Sequence, residues 1–213
     1  MSKPGRRSPA PVPRHFPAAR EDGFSLVEFL VGAVVLLVLS AGVFTMLTDA
    51  QSTSGYQGEV IEVMENTRLT MSVLGRYIAQ AGNNPLAASF NPLTITSSTQ
   101  VTLRADLTGS AGGNQGDPDG DILDEDEEVT IRFNSGAGSI ELVDRNGTVR
   151  TLARGISGFS MEYLGADGAA TTVETDVRSI RVTVTGLSSA ANPRTGKTFG
   201  QTVTGVYTLQ NQG

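Results

Sequence analysis

The chain has 213 residues, a mass of 22.3 kDa and a formal net charge of −6, enough for one modest domain with a real core plus appendages. Its acidity argues against a nucleic-acid partner, which needs a basic footprint. There is no cysteine, and the single histidine, His15, lies near the N-terminus, so thiolate metal centres, cysteine nucleophiles and histidine-based triads are excluded from the body of the chain, and no enzymatic function is expected.

Residues 1–23 are rich in proline and carry Lys3, Arg6, Arg7, Arg14 and Arg20 against only Glu21 and Asp22. That composition predicts a leader with no packed structure of its own. Residues 24–47 follow with one ionisable side chain, Glu28, in an otherwise apolar run. As a helix this run reaches roughly 36 Å, enough for a bilayer core of about 30 Å. The basic flank keeps the leader cytoplasmic and sends the remainder of the chain across. On its residues alone two readings suit such a segment: a secretory signal or a plain uncleaved anchor. Signal centres are usually shorter, about 7–15 residues, and are followed by a small-residue cleavage site. A plain anchor leaves Glu28 unexplained, because an intramembrane carboxylate is costly and so suggests function.

Beyond the span, residues 49–82 predict an amphipathic helix. Val60, Met64, Thr67, Met71, Leu74 and Ile78 recur at spacings of three and four, and charged residues occupy the other faces. Gly82-Asn83-Asn84-Pro85 is a stop signal, and Ser52–Gly55 is a place where the helix would bend or loosen. From residue 93 the period changes to two. Val129/Ile131/Phe133, Ile140/Leu142, Phe159/Met161/Tyr163 and Ile180/Val182/Val184 predict half-buried strands, with turns at Asn134–Gly138 and Asp144–Gly147. Gln201–Leu209 predicts a late strand, and Ser188–Gly200 a polar loop. A helix first and strands afterwards predict an α+β fold, the helix stripe covering one face of an antiparallel sheet.

Between strands lies "GDPDGDILDEDEE", in which eight of the twelve residues from Asp117 to Glu128 are acidic. Asp117, Asp119, Asp121 and Glu128 stand at positions 1, 3, 5 and 12 of an EF-hand-like loop, the spacing of a calcium site. Position 6 is Ile122 where such a loop needs glycine, and no helices flank it. A solvated acidic turn is the alternative, as charge runs usually are.

The stretch Gly23-Phe24-Ser25-Leu26-Val27-Glu28, leading into an unbroken apolar helix, resembles the class III signal of the type IV pilin family. The resemblance implies cleavage after Gly23 by a prepilin peptidase, methylation of the new N-terminal Phe24, and a role for Glu28 in assembly. A free Phe24 amine would lie about one helical turn from Glu28, and in a bundle of such helices Glu28 can pair with the amine of a neighbour. The family's fold is a long N-terminal helix, its first half in the membrane and its second half under an antiparallel sheet. The helix end "LGRYIAQAGNNP" is similar to that of PilW-like minor pilins, departing from it at Gln80 and Asn83, and the later order of "ELVDRNG", "LARGISGFSMEYLGADG" and "VRSIRVTVTG" is similar as well. The resemblance therefore implies a leader (1–23), a transmembrane assembly helix (24–48) and a periplasmic pilin-like domain (49–213). It also implies a single-pass inner-membrane protein that passes into a pilus, with other minor and major pilins as partners. A J-type minor pseudopilin of type II secretion has a similar layout, and a signal-anchored periplasmic binding module is a second alternative.

Overall fold

A computed structural model describes residues 23, 25–109 and 117–209. Helix α1 runs Leu26–Gln80, and strands β1 to β8 follow at Leu93–Ser97, Gln100–Arg104, Glu128–Asn134, Ser139–Asp144, Val149–Arg154, Ile156–Leu164, Ser179–Ala191 and Thr198–Thr208. The fold is α+β. Two compact units divide the chain at Thr48/Asp49.

In the first unit, the helical residues from Leu26 to Leu47 are exposed, including Phe29 at 74%, Leu37 at 71% and Phe44 at 69%. So much apolar helix surface without protein cover is suited to lipid or to other helices, and the segment is long and apolar enough to cross a membrane.

The second unit is built on the rest of α1, where the predicted stripe is realised. Thr67, Met71, Leu74 and Ile78 are buried, joined by Thr70 and Gly75, and Val60 and Met64 are half-buried. The residues Ser52–Gly55 are helical like their neighbours. Gly82 takes φ +79° just past the helix end, a conformation that favours glycine, and its N–H donates to Arg104 O at 2.8 Å.

The strands make two antiparallel sheets where the alternation predicts one. The larger has the order β1-β2-β3-β4-β5 and the smaller β6-β7-β8. The break falls at Gly155, whose φ of +70° turns the chain between β5 and β6. Hydrogen bonds also tie the two sheets together. Tyr163 Oη donates to Ser97 O at 2.9 Å, and Met161 N to Ser98 O at 2.6 Å. The expected polar loop after Ser188 is also shorter than predicted, because β7 continues to Ala191 and β8 begins at Thr198.

Helix and small sheet meet through glycines. A Cβ on Gly75 would lie 2.4 Å from Tyr207 Cε1, one on Gly186 would lie 2.7 Å from Thr67 Oγ1, and one on Gly205 would lie 2.9 Å from Met71 Cε. Leu74, Ile78, Leu93, Ile131, Ile140, Ile180, Val182 and Val184 fill the core, each worth about 1.5–3 kcal/mol when fully buried.

Candidate functional site

Two regions hold the residues singled out by the sequence. The first is the start of α1. Gly23 is exposed, with nothing among the described residues within 4 Å of the place a Cβ would occupy. Phe24 lies outside the described residues. Glu28 is the acidic residue in the first turn of α1, where the helix dipole favours a carboxylate. It is exposed and has no ion-pair partner among the described residues. Glu28 is the one ionisable side chain between residues 24 and 47, on a helix face that is otherwise apolar and exposed.

The second region is the acidic segment before β3. Two buried carboxylates shape it from below. Asp106 accepts the Asp119 and Gly120 N–H groups at 3.2 and 3.1 Å. Glu127, 1% exposed, accepts the N–H groups of Leu107 at 2.8 Å, Thr108 at 2.9 Å and Asp124 at 3.1 Å. Buried carboxylates need such donors, because an unpaired charge away from water is costly. Arg145 donates to Ile122 O at 3.1 Å, and Arg150 pairs with Asp126. The sequence gives no local sign of Asp106 or Glu127 as anchors, since the donors they serve are set by tertiary pairing.

Held in this way, Asp119, Asp121 and Asp124 each offer a carboxylate oxygen within 4.8 Å of the others. Asp124 Oδ2 is buried and has no hydrogen-bond partner among the described residues, and a buried carboxylate oxygen of that kind is suited to ligating a cation. Of the four residues with EF-hand spacing, Asp119 and Asp121 join this triad. Asp117 is exposed outside it. Glu128 lies on β3 and pairs with Arg104 at 2.6 Å. Asp124 replaces them because the loop follows its hydrogen bonds rather than a helix–loop–helix frame. The oxygen-only donor set suits a hard cation such as calcium.

Compared with models of known protein families and with curated proteins, the chain matches none. The architecture itself is pilin-like: a long N-terminal apolar helix, with antiparallel sheets packed against its later turns.

Proposed function

We propose that this protein is a minor pilin of the PilW type, a low-copy structural subunit that helps prime assembly of a type IV pilus. The supporting observation is one continuous helix that starts just after an open glycine and bears a lone carboxylate in its first turn. That helix stays apolar and exposed to Leu47, and its later turns carry a sheet-covered stripe. In this reading a prepilin peptidase removes residues 1–23 and Phe24 becomes the methylated N-terminus. The protein then waits in the inner membrane with its second unit in the periplasm. Glu28 pairs there with the terminal amine of a neighbouring pilin, neutralising two charges that would otherwise be costly in hydrocarbon. No reaction is catalysed. A J-type minor pseudopilin would use the same chemistry, and a signal-anchored binding module would not.

The deciding measurement is the intact mass of the protein purified from envelopes. Loss of residues 1–23 together with one added methyl group supports the reading, and a mature protein that keeps its leader sinks it. The buried Asp124 Oδ2, without a hydrogen-bond partner among the described residues, supports a second feature: calcium held by Asp119, Asp121 and Asp124 as a structural ion.

A further inference from the structure

Two sheets have four edges, and among the described residues three of them carry hydrogen bonds or ion pairs to other parts of the chain. Along β1, Ile95 N donates to Glu174 Oε1 at 2.8 Å, and Asn91 Nδ2 to Glu174 Oε2 at 2.6 Å. On β5, Arg150 pairs with Asp126, and Arg154 O accepts Asn66 Nδ2 at 3.0 Å. On β6, Met161 N donates to Ser98 O, and Tyr163 O accepts Thr171 N at 2.9 Å. The fourth edge is β8, Thr198–Thr208, which ends the small sheet. Its far side has no backbone partner among the described residues. Strand β8 also carries no charge and no proline across eleven residues, so it lacks the usual devices that keep an edge from pairing.

The sequence of β8, TFGQTVTGVYT, reads nearly the same in both directions about Val203. Thr202 matches Thr204, Phe199 matches Tyr207 and Thr198 matches Thr208, with Gly200 against Val206 and Gln201 against Gly205. A twofold antiparallel pair must set each residue against its mirror position. Here that rule yields Thr–Thr and aromatic–aromatic pairs, which stabilise a ladder. One such Thr ladder already exists within the protein, with Thr204 against Thr183 at 3.1 Å and Thr202 against Thr185 at 2.9 Å.

We propose that β8 pairs with β8 of a second copy, antiparallel and centred on Val203, giving one six-stranded sheet across a dimer. The pairing is closed, because the outermost strands of that sheet are then the two β6 strands, whose edges are occupied. Pairing of β8 does not depend on the minor-pilin reading.

The test uses the full chain in detergent micelles, which is free of native cysteine. Val203→Cys places a thiol opposite the partner's Cys at the same position, within the Cα separation a disulfide allows. Val206→Cys places the two thiols roughly 20 Å apart, six residue steps along the pair. Val203→Cys should therefore give a disulfide-linked dimer and Val206→Cys should not. Thr202→Lys with Thr204→Lys sets lysine against lysine in both mirror pairs. Thr202→Glu with Thr204→Lys sets glutamate against lysine. Both remove the same contacts to β7, so any folding defect is common to them. The double lysine should raise the dimer dissociation constant at least about tenfold over the Glu/Lys pair. Three results would each overturn the proposal: a monomeric full chain at high micromolar concentration, equal cross-linking at positions 203 and 206, or equal self-association of the two double variants. A chain that is monomeric alone but takes another protein's strand on β8 would overturn it as well.

Discussion

Tyr207 and Gly75 meet so closely that each fixes the other. The ring lies where a Cβ of residue 75 would be, and its hydroxyl donates to Met71 O at 2.8 Å, so the ring cannot swing aside without giving up that bond. Alanine favours a helix over glycine by about 1 kcal/mol, yet Gly75→Ala should lower stability by about 1–3 kcal/mol because overpacking is the larger effect. In a Tyr207→Leu background the same change should become neutral or favourable. Thermal melting of the four proteins of this cycle checks the sign. Glu141 gives a pH prediction of the same local kind. Hydrogen bonds from Asn134 at 3.0 Å and Arg132 at 2.8 Å, with Ser139 a lesser contributor, hold its carboxyl below the usual range. A depressed carboxyl adds stability that is complete above its unfolded value and is lost as pH falls through the folded one. Asp144 behaves likewise, held down first by the Thr148 backbone N–H at 2.7 Å. Melting temperature should thus decline from about pH 4 downward, and Glu141→Gln should flatten part of that decline. An unchanged acid limb in the variant would show that Glu141 carries no such linkage.

At the scale of elements, what could be read in the sequence was what depends on short periods. The spacing of Met71, Leu74 and Ile78 placed the buried face of α1, and alternation at Val129/Ile131 and Ile180/Val182/Val184 placed β3 and β7. Two sheets in place of one turned on the single positive φ at Gly155, and many glycines in this chain look the same in sequence. Ser188–Ala191 reads as loop because it is small and polar, but the strand resumes past an irregularity after Leu187, where Ala191 pairs with Thr198 of β8. The acidic loop illustrates the limit best. Counting along the chain selected Asp117 and Glu128, whereas Asp106 and Glu127 decide the loop's path from positions that only the fold brings near. Glu127→Ala should therefore leave the Leu107, Thr108 and Asp124 N–H groups without their carboxylate acceptor, at about 0.5–1.5 kcal/mol for each hydrogen bond lost, seen as a lower melting temperature with or without metal. Calcium is a separate matter. If it binds the folded triad alone, it stabilises by mass action, about 2.7 kcal/mol at a hundredfold excess over its dissociation constant. The full chain in micelles should then melt higher in millimolar calcium than in chelator, and Asp119→Ala with Asp121→Ala should abolish the difference. Equal melting of the parent protein in both conditions would reject the ion.

The whole molecule joins an exposed apolar helix start, long and apolar enough to cross a membrane, to a unit with its own buried core. Glu28 is exposed, outside every ion pair described, and distant in sequence from the buried core that begins at Thr67. Its replacement should therefore leave the fold intact. Glu28→Leu removes a charge that costs roughly 2.5–3.5 kcal/mol at the centre of a membrane helix on insertion scales, so the variant should insert at least as well as the parent. If assembly relies on Glu28 as counter-ion to a neighbour's N-terminal amine, the same change should reduce recovery of partner pilins despite better insertion. Glu28→Gln separates charge from shape, since it keeps the size and polarity and still cannot balance an amine. Leucine and glutamine should thus fail alike in partner recovery while melting like the parent. Gly23→Val provides the companion control: if the enlarged side chain blocks cleavage, the protein keeps residues 1–23, and no free amine forms on Phe24. Partner recovery should then fall even with Glu28 in place. Normal recovery with Glu28→Leu, from a protein whose leader has been removed, would show that the charge serves some purpose other than assembly.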